Sequence, residues 1–193
     1  MRMLLEEFQI ANFKLPHLSS REEAIGIPPD PPWYQINVDG AKFSTTHCSG
    51  VGIVIRDNAG KVMAAMSMKI PCPLGPLESE AKAMEEGVIF AWDVGVREVV
   101  FECDSLIVAD ALNGTCEAPV TISNIIDGIR HWINDFRDAK IVHVRRQSRQ
   151  GNRPTHLIAQ YAKNVDGYDI WIEENPPIIE SILIQDILFL SSS

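Results

Sequence analysis

The sequence predicts an α/β fold, a five-stranded mixed sheet with helices on both faces, and three observations carry that expectation. Strand-like runs joined by short turns come first, between Tyr34 and Ile70. A 3.6-residue apolar periodicity then sets in at Leu77. Beyond it, strand and helix patterns alternate as far as Lys163, in the order β-β-β-α-β-α-α-β-α. A hairpin meander that feeds βαβ crossovers closes into a mixed sheet.

Each element has its own reason. Tyr34 to Asp39 alternates apolar and polar residues with period two, and Asp39 closes this first strand. Thr45 to Gly50 is a turn, and Val51 to Ile55 is a continuous apolar run that reads as the second strand. Arg56 to Lys61 carries Asp57, Asn58 and Gly60, residues that tolerate turn dihedrals, and Val62 to Ile70 is the returning strand. Leu77, Ala81, Met84, Val88, Ala91 and Trp92 form one helical stripe that ends at Gly95. Glu98 to Cys103 is the fourth strand, followed at Asp104-Ser105 by a short helix through Leu112. Ile122 to Phe136 repeats the helical stripe, Ile141 to Val144 is the fifth strand, and Thr155 to Lys163 is a last short helix.

The ends differ from this centre. Residues 1–14 read as an amphipathic helix and 15–32, with Pro16, Pro28, Pro29, Pro31 and Pro32, as an extended linker. The domain is thus expected at 33–165, with an apolar tail over 166–193. Its segment 178–190 reads as a docked terminal helix, or as a surface for a protein partner. No signal peptide or membrane-spanning run is visible, and the four cysteines form no CxxC pair. An intracellular protein with free thiols is expected.

Charge narrows the function. With 17 Lys+Arg against 26 Asp+Glu the net charge is -9. Such a chain does not grip nucleic acid by a broad basic face, but it can delegate phosphate neutralisation to bound divalent metal. Gly50-Val51-Gly52 lies in a strand without a third glycine or a following helix, so a dinucleotide site is not expected.

Three carboxylates stand where elements meet. Asp39 ends the first strand, Asp104 ends the fourth, and Glu80 borders the buried stripe of the long helix. If the two strands are neighbours, Asp39 and Asp104 share one sheet edge and the helix brings Glu80 to them. Three clustered negative charges call for a cation, and oxygen ligands suit Mg²⁺ or Mn²⁺.

The motifs Asp39-Gly40-Ala41, Gly50 to Asp57, Ser79 to Met84, Glu102 to Ser105, and His143 to Arg146 with Gly151 to Ala159 resemble the ribonuclease H-like family. The closest likeness is to its plant and retroelement reverse-transcriptase-like branch, over roughly residues 33–165. The resemblance implies a ribonuclease H-like fold and endonucleolytic cleavage of the RNA strand of RNA–DNA hybrids by two divalent ions, Mg²⁺ or alternatively Mn²⁺. It implies Asp39, Glu80 and Asp104 as metal ligands, and His156 at a fourth catalytic position where the family often has Asp. Arg145, Arg146, Asn152 and Arg153 are the expected nucleic-acid contacts. Gln147 to Gln150 resembles an insertion that lengthens the loop before His156, and Asn113 to Val120 lacks the basic protrusion of some members. The competing reading is a catalytically weak or inactive nucleic-acid-binding remnant of a retroelement.

Overall fold

The computed structural model describes residues 30–144 and 149–183. The segments 1–14 and 15–29, Arg145, Arg146 and the tail from residue 184 lie outside the described residues. Among those described, no helix is long and apolar enough to cross a membrane.

Among the described residues the elements in chain order are β1 (Tyr34–Phe43), β2 (Cys48–Arg56), β3 (Val62–Ile70), α1 (Pro76–Asp93), β4 (Glu98–Cys103), α2 (Leu106–Leu112), α3 (Ser123–Ile133), β5 (Asp138–His143), α4 (Arg149–Tyr161) and β6 (Tyr168–Ile172), and residues 180–183 are helical. They build one sheet of order β5-β4-β1-β2-β3-β6. The meander β1-β2-β3 is antiparallel, whereas β4 joins β1, and β5 joins β4, in parallel. The mixed sheet expected from the order of elements is therefore present, with one strand more than the five predicted. The extra strand is β6, antiparallel to the free edge of β3. Its sequence Tyr168-Asp169-Ile170-Trp171-Ile172 alternates with period two, but five residues in an apolar tail become a strand only because an unpaired edge receives them.

Helices cover both faces. On one, Ile36, Val38, Val51, Ile53 and Ile55 pack with Met84, Val88 and Ala91 of α1 and with Ile126 and Ile129 of α3. On the other, Ile158 and Ala159 of α4 cover Val54, Ala65, Ala41 and Phe43. Ile179 and Leu183 join that second layer. Every residue of β2 from Cys48 to Ile55 is buried, as its unbroken apolar run requires of a strand covered twice.

Several boundaries differ from those read in the sequence: β2 begins at Cys48 rather than Val51, and α3 ends at Ile133 rather than Phe136. β1 runs on to Phe43, so Asp39 lies inside the strand and the following turn is 44–47. β5 begins at Asp138, because Asp138, Ala139 and Lys140 already pair with Glu98, Val99 and Val100. α4 begins at Arg149 rather than Thr155 and continues through Pro154. Proline commonly opens a helix, which is why the sequence suggests a start there; in the fold the helix tolerates the single missing donor.

Cys72 and Cys116 are exposed, whereas Cys48 and Cys103 are buried. Burial pushes the Cys103 thiol up to about 12, leaving it neutral and unreactive. Two thiols should therefore react with iodoacetamide in the native protein and four after unfolding. Rapid native modification of Cys103, read by peptide mass spectrometry, would contradict this packing.

Candidate metal centre

Strand register brings the first two carboxylates together. In the parallel pair β1–β4, Tyr34 faces Val99 and the last matched rung is Asn37 with Glu102. Beyond it β4 ends at Cys103 while β1 continues. Asp39 thus keeps β2 on one flank, opposite Gly52, and opens on the other towards Asp104 at the end of β4. Ser105 caps α2 by accepting a 3.4 Å hydrogen bond from the Val108 amide, so the cap role falls to it and not to Asp104.

The third carboxylate arrives because α1 lies unusually close to β1. A Cβ on Gly40 would stand 2.7 Å from both the carbonyl carbon and the oxygen of Ser79. Gly87, further along α1, would meet Val38 at 2.5 Å. With no side chain at either place the helix seats on the strand and delivers Glu80 to Asp39. Carboxylate oxygens of Asp39, Glu80 and Asp104 all lie within 4.8 Å of one another. Asp39 is 4% exposed and Glu80 9%.

His156 joins from the opposite layer. Its Nδ1 is 2.7 Å from Asp39 Oδ2. An ionised carboxylate only accepts, so Nδ1 is the donor of this hydrogen bond. The Asp39 side chain is 6% exposed and that of His156 58%. Close helix–strand approach again sets the geometry: a Cβ on Gly52 would lie 2.4 Å from Thr155 O and from Ala159 N. His156 therefore stands beside Asp39, behind the longer loop that the resemblance suggested.

The donor set fits a hard divalent cation. Three carboxylates converging within 4.8 Å repel one another unless a cation offsets them, and oxygen ligands suit Mg²⁺ and Mn²⁺. Of the expected nucleic-acid contacts, Arg153 is exposed one turn before His156, and Asn152 is half-buried. Arg145 and Arg146 lie outside the described residues.

One pair escapes notice in the sequence. Asn37 Nδ2 donates to Glu102 Oε2 at 2.8 Å, one rung below the aspartates. The signal was present in Asn37-Val38-Asp39 and Glu102-Cys103-Asp104, since residues two apart in a strand share a face.

A family model described as reverse transcriptase-like matches residues 37–162, which hold all four of these site residues. No curated protein matches the chain. Solved structures do. RNase H1 from the halophilic archaeon Halobacterium salinarum NRC-1 is similar with a TM-score of 0.61 at 21% identity, over 68% of this chain and 98% of its own. LC11-RNase H1, isolated from compost by a metagenomic approach and solved in complex with an RNA/DNA hybrid, gives 0.59 at 19% identity, over 68% of this chain and 96% of its own. The prototype foamy virus protease-reverse transcriptase gives 0.54 at 18%, over 69% of this chain and 21% of its own. At such identities the likeness establishes the fold, which is that of ribonuclease H.

Proposed function

The chain belongs to the reverse transcriptase-like family, and on that premise we propose that it hydrolyses the RNA strand of RNA–DNA hybrids with divalent metal held by Asp39, Glu80 and Asp104. The observation that carries this reading is the convergence of those three carboxylates within 4.8 Å at the end of β4. That a structural relative was solved with an RNA/DNA hybrid supports the substrate class.

Two divalent ions, when bound, supply an activated water and charge stabilisation at the leaving oxygen. The protein's part is to hold and orient. Asp39, buried inside a strand, is the rigid member of the set, and Asp104 and Glu80 complete it from a strand end and a helix. His156 donates through Nδ1 and so fixes the direction of the Asp39 carboxylate, as an outer hydrogen-bond partner does for a metal ligand. Arg153, exposed on the same helix, supplies a phosphate contact, joined by Asn152, Arg145 and Arg146 along the same stretch of chain.

Where His156 stands, a carboxylate would hold Mg²⁺ better, whereas imidazole is acceptable to Mn²⁺. That substitution favours a second reading, a hybrid-binding domain with little or no turnover. Incubation of a labelled RNA–DNA hybrid with each ion separates the two. The expected result is weak cleavage in Mg²⁺ and faster cleavage in Mn²⁺. Hybrid binding without cleavage in either ion would leave the second reading standing.

A further inference from the structure

Glu102 has no part in the three-carboxylate cluster, yet it stands one rung from it. Asn37 and Glu102 face each other across β1 and β4, and two residues further along each chain come Asp39 and Asp104. Side chains two apart in a strand share a face and lie about 6–7 Å apart. Glu102 therefore points to the same side of the sheet as Asp39, and its carboxylate is not left to wander. Asn37, only 2% exposed, donates its Nδ2 to Oε2 at 2.8 Å.

Stability alone accounts poorly for this pair. The Asn37 amide oxygen is sealed from solvent and accepts no hydrogen bond among the described residues. A buried acceptor left unmade costs folding free energy, and two apolar side chains across this rung would avoid that cost. What the arrangement does secure is the direction of a carboxylate. The amide can turn only its donor to Glu102, so Oε2 is held and the charge stays beside the cluster.

We infer that Glu102 is a positioning residue of the metal centre: an outer carboxylate, clamped by Asn37, that strengthens divalent-ion binding by Asp39, Glu80 and Asp104 without ligating the ion itself. This rests on the metal-binding role proposed above. Hard cations such as Mg²⁺ keep several of their waters, and a carboxylate beyond the ligands accepts hydrogen bonds from those waters and adds to the negative potential. The spacing of one strand rung suits such a place.

Mn²⁺ and Mg²⁺ titrations of the full chain, followed by thermal shift and by Mn²⁺ electron paramagnetic resonance, test the inference on wild type, Glu102→Gln, Asn37→Ala and Asp39→Asn. Glu102→Gln keeps the shape and an oxygen acceptor for Asn37 but removes the charge. It should weaken ion binding about tenfold while the metal-free Tm stays within about 1 °C of wild type. Asn37→Ala should weaken binding in the same direction, by releasing the carboxylate. Should Glu102→Gln fail to fold, the Asn37→Ala titration decides. Wild-type affinity in Glu102→Gln, with binding lost in Asp39→Asn, would overturn the role of Glu102 and leave the metal centre intact. An absence of ion binding by the wild type would instead overturn the metal centre, and Glu102 with it.

Discussion

Asp39→Asn should remove divalent-ion binding and lower hybrid cleavage by at least about 100-fold, more than loss of an outer partner of a metal ligand costs. Asp39 is the most buried member of the cluster, the one that His156 meets, and the one set inside a strand. An asparagine there keeps the size and can still accept from His156 Nδ1, so the fold is not disturbed. What it lacks is the charge. The metal-free variant should therefore still unfold in one cooperative transition. Metal separates it from wild type. Ions at a hundred times their Kd stabilise wild type by about 2.7 kcal/mol, or roughly 5–10 °C for a chain of this size. The variant should gain nothing from the same addition. Cleavage that survives Asp39→Asn would remove this residue from the site, whatever happened to stability.

Gly52→Ala should cost about 1–3 kcal/mol, the usual range for overpacking a tight interface. Its new Cβ would fall 2.4 Å from Ala159 N and Thr155 O and 2.9 Å from Ala159 Cα. All three are backbone atoms of α4, so no side chain can turn aside; the helix itself must lift. Ile158 and Ala159, both fully buried, lose their seat on the sheet. His156, carried by the same helix, draws back from Asp39. The expected result is a Tm lower by roughly 3–10 °C, together with reduced cleavage. An unchanged Tm would show that β2 and α4 are not in such close contact.

The two predictions differ in how readable they were. Asp39, Glu80 and Asp104 stand out in sequence because each is an acid at a break in apolar patterning. The adjacency of Asp39 and Asp104 followed once the first and fourth strands were taken as neighbours, and β1 does pair with β4. Gly52 carried no such signal. In sequence it was a glycine within a strand, and only the seating of α4 against it shows why a Cβ there would meet backbone. β6 was hidden for a related reason: five alternating residues are too few to announce a strand without the open edge of β3 beside them. The start of α4 was misplaced because Pro154 imitates a helix beginning.

The amino-acid pattern was enough for the mixed sheet and the order of its elements up to the last predicted helix, and it singled out three carboxylates that the fold brings within 4.8 Å of one another. These depend on local periodicity and on acidic residues at element ends, both written within a few neighbours along the chain. Only the tertiary structure decided that His156 meets Asp39, that Asn37 holds Glu102, and that glycines 40 and 52 let two helices close on the site from opposite layers. Each of these is a contact between residues distant in sequence. It exists because packing brings backbones together, and one-dimensional periodicity carries no measure of that distance.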